Sequence, residues 1–182
     1  MIASTREGDT VEVATVGNEG ATGVIAMLSG SKQRAQQVPL VKVRALIPGA
    51  VLRMRVDGFE AAIERSSEVN RCVMRYWNVL FSQLVLSASC NRLHSLEQRC
   101  ARWLLALQDR TGSRKLRIRQ QPLADMLGVT RQSAERLLND FEVAEILDSQ
   151  RAAVTIKDRS KLHERACACY RMLAKRLRAL FV

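Results

Sequence analysis

The chain has 182 residues and a formal net charge of +11, with 47% apolar residues and only 4% aromatic ones. That length suits one or two small domains, and the apolar share is ordinary for a protein that buries a core. The lack of any apolar run of about 18 residues argues against a membrane-spanning helix, and basic side chains without interleaved aromatics argue against a platform for single-stranded nucleic acid.

Thr10 to Val16 alternates in the manner of a strand, and Gly17-Asn18-Glu19-Gly20 is a turn cluster. Pro39 and Pro48 punctuate the next stretch, and Gly49 to Val56 reads as another strand. Phe59 to Arg65 is predicted as a short helix, after which Ser66 or Ser67 can cap a long one from Glu68 to about Ser89. In that helix Val73, Trp77, Leu80, Leu84 and Ser87 follow the alternating spacing of a coiled-coil seam, with Tyr76 and Phe81 beside it. The stripe is wider than one subunit needs, so Val73, Trp77, Leu80 and Leu84 are expected to form a dimer interface. The competing expectation is a helix packed on the strands of its own subunit. Asn91 to His94 has the look of a hinge, and Ser95 with Gln98 forms a capping box for the helix that follows, where Trp103 is expected in the core. Thr111-Gly112-Ser113 ends that helix, and Leu116 to Ile118 suggests a short strand.

Gln120 to Phe141 is the most informative stretch. Gln120 to Leu127 predicts a short helix with Leu123 and Leu127 on one face, Gly128 allows a sharp turn, and Thr130 caps a second helix. Ala134, Leu137, Leu138 and Phe141 recur at helical spacing, which leaves Arg131, Gln132, Ser133, Arg136 and Asn139 outside. Arginine pairs bidentately with guanine, and Gln or Asn with adenine, so this is the layout of a DNA-reading helix-turn-helix. An αα-corner that only packs a core is the plainer alternative. Ile146-Leu147 and Val154 to Ile156 then bracket Asp148 to Ala153 as a hairpin with Arg151 near its tip, placed to meet a phosphate or the minor groove. Asp158 is expected to cap a final helix reaching about Phe181. Its apolar face would be Leu162, Ala166, Tyr170, Leu173, Leu177 and Leu180, and its basic face Arg165, Arg171, Lys175, Arg176 and Arg178. A basic amphipathic helix suits a membrane surface or a partner; packing on the DNA-binding domain is the simpler expectation.

The charge supports this placement. Residues 1–90 hold 10 basic and 8 acidic side chains, whereas residues 91–182 hold 19 and 10. The electropositive half is the one that carries the motif, as electrostatic attraction to a phosphate backbone requires.

Ser95 to Arg110, the helix-turn-helix and Ile146 to Tyr170 together resemble the cyclic-AMP receptor / fumarate-nitrate regulator (Crp/Fnr) superfamily of bacterial transcription factors. The resemblance runs from about Val11 to Tyr170. It implies an α+β fold: a partial β-roll sensor domain like those that bind cyclic nucleotides (residues 1–66), a long dimerisation helix and hinge (67–93), and a C-terminal winged helix-turn-helix with a closing helix (94–182). By resemblance Arg131, Gln132 and Arg136 read bases, while Thr130, Ser133 and Arg151 position on the DNA backbone. Gln132 stands where many members carry Glu, and Glu145 and Ala152 stand where the family places wing glycines. Residues 1–57 resemble only the second half of the roll, so the chain is expected to be N-terminally short. Of the family's nucleotide contacts Arg34 is present, but Val24 and Ala35 replace the carboxylate and the hydroxyl neighbour. The pocket is therefore expected to be degenerate and cyclic AMP not to be the signal.

The five cysteines, Cys72, Cys90, Cys100, Cys167 and Cys169, form no paired framework, which fits a reducing compartment. Met1 to Gln33 has no signal-peptide pattern, so a cytoplasmic location is expected. Cys167 and Cys169, two apart on a predicted helix, would point apart and make a poor metal pair. His94 and His163 stand isolated in sequence, and the family's N-terminal iron–sulfur cysteines are missing. No catalytic residue, metal or cofactor is expected. The expected partners are double-stranded DNA, a second copy of the chain and RNA polymerase, without a membrane. The rival expectation is a shortened interaction protein that heterodimerises with a full-length relative and blocks it.

Overall fold

The structure, a computed structural model, describes residues 1–4, 10–23 and 41–180. Arg34, Val24 and Ala35, and with them the expected nucleotide contacts, lie outside the described residues. The fold is α+β. Strand β1 (Ile2–Ser4) lies between β2 (Thr10–Glu12) and β3 (Val41–Lys42), antiparallel to both, with Ile2 opposite Glu12 and Lys42. β2 is shorter than the strand predicted over Thr10 to Val16. After Glu12 the chain drops its ladder and lays Ala14 and Val16 against a helix instead. The predicted turn forms, with the Gly20 N–H donating to the Gly17 carbonyl at 3.4 Å. Gly20 is required by packing, since a Cβ there would lie 2.0 Å from the Tyr76 ring. The Tyr76 hydroxyl donates to the Ala21 carbonyl at 2.7 Å, and Glu19 forms a buried ion pair with Arg110 at 2.8 Å.

The strand expected over Gly49 to Val56 does not form. Val51 and Leu52 are almost fully exposed, no strand among the described residues pairs with this segment, and helix α1 (Val56–Arg65) has already begun by its end. Helix α2 (Ser67–Leu93) is longer at both ends than predicted. It is capped by Ser66, whose hydroxyl accepts from the Val69 N–H at 3.2 Å. The hinge expected over Asn91 to His94 shrinks to His94–Ser95, because α2 keeps its hydrogen bonds through the His94 N–H to the Cys90 carbonyl at 3.1 Å.

The faces of α2 differ from the simple seam. Leu80 is buried against Ala14, and Trp77 and Leu84 lean on the same cluster, so these positions serve the subunit's own core. The large apolar side chains left exposed on α2 are Val69, Met74, Phe81, Val85 and Leu93.

Helix α3 (Leu96–Thr111) starts at the predicted capping box: Gln98 N–H to Ser95 Oγ is 3.2 Å and Ser95 N–H to Gln98 Oε1 is 3.1 Å. Its buried side chains, Trp103 and Leu104 among them, are the centre of the main core. Around them close β4 (Lys115–Leu116), α4 (Gln120–Leu127), α5 (Arg131–Val143), β5 (Leu147–Gln150), β6 (Ala153–Ile156) and α6 (Arg159–Arg165). β4 is shorter than predicted, but Leu116 and Ile118 are both buried.

The single final helix is two helices. α6 stops at Arg165, Ala166 turns extended, and α7 (Cys169–Arg178) begins beyond it. Asp158 caps α6, accepting from the Lys161 N–H at 3.0 Å. The break turns both Cys167 and Cys169 inward, onto Cys90 at the end of α2, so the expectation that they point apart is overturned. Two members of the supposed outer basic face are also engaged. Arg165 pairs with Glu97 at 2.6 Å, and Arg176 donates to Ser82 Oγ at 3.0 Å. Among the described residues no helix is long and apolar enough to cross a membrane.

Candidate nucleic-acid interface

Helices α4 and α5 meet across a turn whose geometry follows from its residues. Gly128 has φ +65°, the left-handed region that glycine enters without a steric penalty. The Val129 N–H donates back to the Ala124 carbonyl at 3.1 Å, closing the end of α4. A Cβ on Gly128 would meet Val11 at 3.3 Å, so β2 packs directly on this turn. Thr130 then caps α5: its Oγ1 accepts from the Ser133 N–H at 3.2 Å and lies 2.9 Å from Ser133 Oγ.

The predicted division of α5 is present. Ala134, Leu137, Leu138 and Phe141 are buried in the main core, whereas Arg131, Gln132, Arg136 and Asn139 are exposed and Ser133 is half-buried. Arg131 is not idle. Its Nε donates to Glu135 at 2.7 Å, and the guanidinium also reaches Gln120 Oε1 at 3.4 Å. The Glu135 contact uses Nε and the Gln120 contact Nη2, which leaves Nη1 without a partner among the described residues. Arg136 is exposed with no ion pair among the described residues.

The wing is a hairpin in which Leu147 faces Ile156 and Gln150 faces Ala153, leaving Arg151 and Ala152 as its turn. Arg151 is exposed at the tip, as expected. The carboxylate of Glu142, near the end of α5, accepts from the Ser149 N–H and ties the wing to that helix. Of the two wing positions where glycine was expected, only one needs it. Glu145 has φ +56° and is the one non-glycine with positive φ among the described residues, whereas Ala152 is not in that region. β4 pairs with β6 as the third strand.

Four basic side chains were given no role in the sequence: Arg114, Lys115, Arg117 and Arg119 are all exposed on β4 and its flanking connections. Leu116 and Ile118 point into the core between them. The strand-like alternation of basic and apolar residues was the available signal, but only pairing with the wing shows that these cations share its end of the molecule. Arg131 and Arg136 are thus exposed on α5, Arg151 at the wing tip and the four further cations on and beside the strand that pairs with the wing, while Arg34 is not among the described residues.

Residues 98–165 match the model of the Crp-like helix-turn-helix domain. Among solved structures the chain is similar to FixK2 from Bradyrhizobium japonicum, at 18% identity over 63% of this chain and 60% of that one, with a TM-score of 0.58. It is similar to a CooA mutant from Carboxydothermus hydrogenoformans, at 24% identity over 60% and 54% of the two chains, with a TM-score of 0.53. A third similar structure is CLP, the c-di-GMP responsive global regulator of Xanthomonas campestris, at 14% identity over 86% and 79%, with a TM-score of 0.61. Likeness at such identities establishes a shared fold, and the match spans only 60% and 54% of the FixK2 and CooA chains. No curated protein matches the chain. Similarity to the Crp-like helix-turn-helix domain is thus shown for residues 98–165 of the chain.

Proposed function

We propose that the chain is a sequence-specific regulator that binds double-stranded DNA as a homodimer and does not respond to cyclic AMP. One observation carries the DNA reading: α5 buries its apolar face completely and holds Arg131, Gln132 and Arg136 out on the opposite face. In this reading those three side chains meet base edges in the major groove. Thr130, Ser133 and Arg151 hold the backbone, with Arg114, Lys115, Arg117 and Arg119 as additional phosphate contacts. Two copies related by a twofold axis would place their α5 helices in successive major grooves, about 34–36 Å apart, on a near-palindromic site.

The domain organisation we propose has residues 1–66 as the sensor part, 67–93 as the dimerisation helix and 94–182 as the DNA-binding part. The pairing surface is the exposed Met74–Phe81–Val85 side of α2, since Trp77, Leu80 and Leu84 are occupied inside the subunit. The loss of the nucleotide contacts at Val24 and Ala35 supports independence from cyclic AMP, and RNA polymerase is a further partner consistent with a regulatory role. Selection of bound sequences from a random duplex pool with the full chain tests the core of the proposal. Enrichment of an inverted repeat supports it; a pool that stays random would end it. Calorimetry with cyclic AMP tests the remaining part, and binding heat there would refute independence from that nucleotide.

A further inference from the structure

Where α2 ends, four side chains that can ligate a metal converge: Cys90, His94, Cys167 and Cys169. Their ligand atoms all lie within 4.8 Å of one another. Cys90 Sγ is 3.8 Å from Cys167 Sγ, and Cys169 Sγ is 3.9 Å from His94 Nδ1. We propose that these residues form a structural Cys3His zinc site.

The spacing is that of a tetrahedron. Zinc bonds of about 2.3 Å to sulfur and about 2.0–2.1 Å to nitrogen set the edges at about 3.8 Å between sulfurs and about 3.6 Å between sulfur and nitrogen. The two separations of 3.8 and 3.9 Å lie close to those edges and all the ligand atoms lie within 4.8 Å, so side-chain movements of about 1 Å or less complete the site. A multi-iron cluster would hold its ligands further apart. Three soft thiols and an imidazole are the donor set that zinc prefers.

The backbone makes sense on the same terms. Cys90 and His94 are one turn apart at the end of α2, hence on one face. Cys167 and Cys169 in a continuous helix would point about 200° apart. They converge only because the chain leaves the helix at Ala166, with ψ 145°. Nothing local demands that break, since the segment Arg165-Ala-Cys-Ala-Cys-Tyr170 contains neither Pro nor Gly and alanine is the best helix former. A requirement on the two cysteines accounts for it.

Charge fits as well. Zn2+ takes the place of three thiol protons, which pass to solvent, and with a neutral imidazole the loaded site carries one negative charge. The buried guanidinium of Arg102 acts electrostatically on all three cysteines, and its Nε has no hydrogen-bond partner among the described residues. It is a ready counter-ion. The ligands come from the end of α2 (with His94 just beyond it) and from the α6–α7 connection with the first residue of α7, so bound zinc would pin these two parts together.

The test uses the full chain, purified with reductant, stripped with a chelator and titrated with Co2+. One equivalent should bind, with the thiolate charge-transfer and intense d–d absorption of a tetrahedral thiolate site, and Zn2+ should displace it. Cys167→Ser, Cys169→Ser and His94→Ala should each weaken binding by at least about 10- to 100-fold, the cost of removing even an outer-shell partner. Cys72→Ser and Cys100→Ser should bind as the unaltered chain does. Alkylation mapped by mass spectrometry keeps the test independent of variant folding: Zn2+ should protect Cys90, Cys167 and Cys169. An octahedral cobalt spectrum, or identical alkylation with and without Zn2+, would overturn the proposal. A Cys90–Cys167 disulfide with no metal uptake after reduction would overturn it equally.

Discussion

Replacing Arg136 with alanine separates base reading from folding. The side chain is exposed and pairs with no acid among the described residues, so its removal leaves no buried partner behind. Alanine is also the better helix former, so folding stability should change by less than about 0.5 kcal/mol. On DNA the removal of a bidentate base pairing costs about 1–3 kcal/mol per half-site, about 5- to 150-fold in Kd for each of the two half-sites that a dimer occupies. Arg131→Ala should cost somewhat less. Its guanidinium already pairs with Glu135 at 2.7 Å, an exposed pair worth about 0.3–0.5 kcal/mol with which a base contact would compete. Arg151→Ala should weaken selected and random duplexes alike and lower the slope of log K against log salt by about 0.9 for each phosphate that is no longer neutralised. Fluorescence anisotropy on both duplexes at two salt concentrations, with a thermal melt of each variant, reads all three. If Arg136→Ala weakened both duplexes equally and reduced the salt slope, the residue would be a phosphate contact. If neither affinity moved, it would have no part in binding.

Glu145→Gly should stabilise the protein by about 0.5–1 kcal/mol. The left-handed backbone costs a side chain about 1–2 kcal/mol, and the extra freedom of unfolded glycine returns part of that; a denaturant midpoint that fell would contradict this. Glu19→Ala leaves Arg110 buried without its partner and should destabilise by about 3–5 kcal/mol in urea titration, and a drop under about 1 kcal/mol would show that the pair is not buried in solution. Burial holds the Glu12 carboxyl above its usual range, against the pull of Thr15 and Arg102. The folded state therefore keeps that proton longer than the unfolded one. The stabilisation is full below the ordinary value near 4.5 and is lost as pH rises through the raised one. Glu12→Gln should flatten the fall in stability as pH rises above the ordinary carboxylate value near 4.5, and an unchanged pH profile would count against burial. Phe81→Glu removes an exposed aromatic from the proposed pairing face. With about 1.5–3 kcal/mol per buried side chain, contributed twice across a twofold axis, it should turn dimers into monomers in sedimentation; dimers of undiminished affinity would place the interface elsewhere.

Most of the candidate interface was legible before any fold was known, because its signals are local. Ser95, Thr130 and Asp158 cap helices through hydrogen bonds that span three residues. Gly128 marks a backbone angle, and the apolar period of α5 marks its buried side. Each signal acts within a turn or two of chain, so residue order alone was enough to place α4, α5 and the wing. The role of Arg114, Lys115, Arg117 and Arg119 was not legible in the same way, since it depends on β4 lying beside β6.

What only the tertiary structure decided lies wherever two distant segments compete for one surface. The period of α2 showed that Trp77, Leu80 and Leu84 share a side, but whether that side meets another copy or the chain's own Ala14 depends on where residues 13–16 come to rest. Gly49 to Val56 reads as a strand, but no strand among the described residues pairs with it, and a strand is defined by its neighbour. The helix break at Ala166 contradicts local propensity, because Cys167 and Cys169 answer to Cys90 and His94 more than seventy residues away. Order along the chain determines which conformations are locally favourable, but only packing decides which of them is kept.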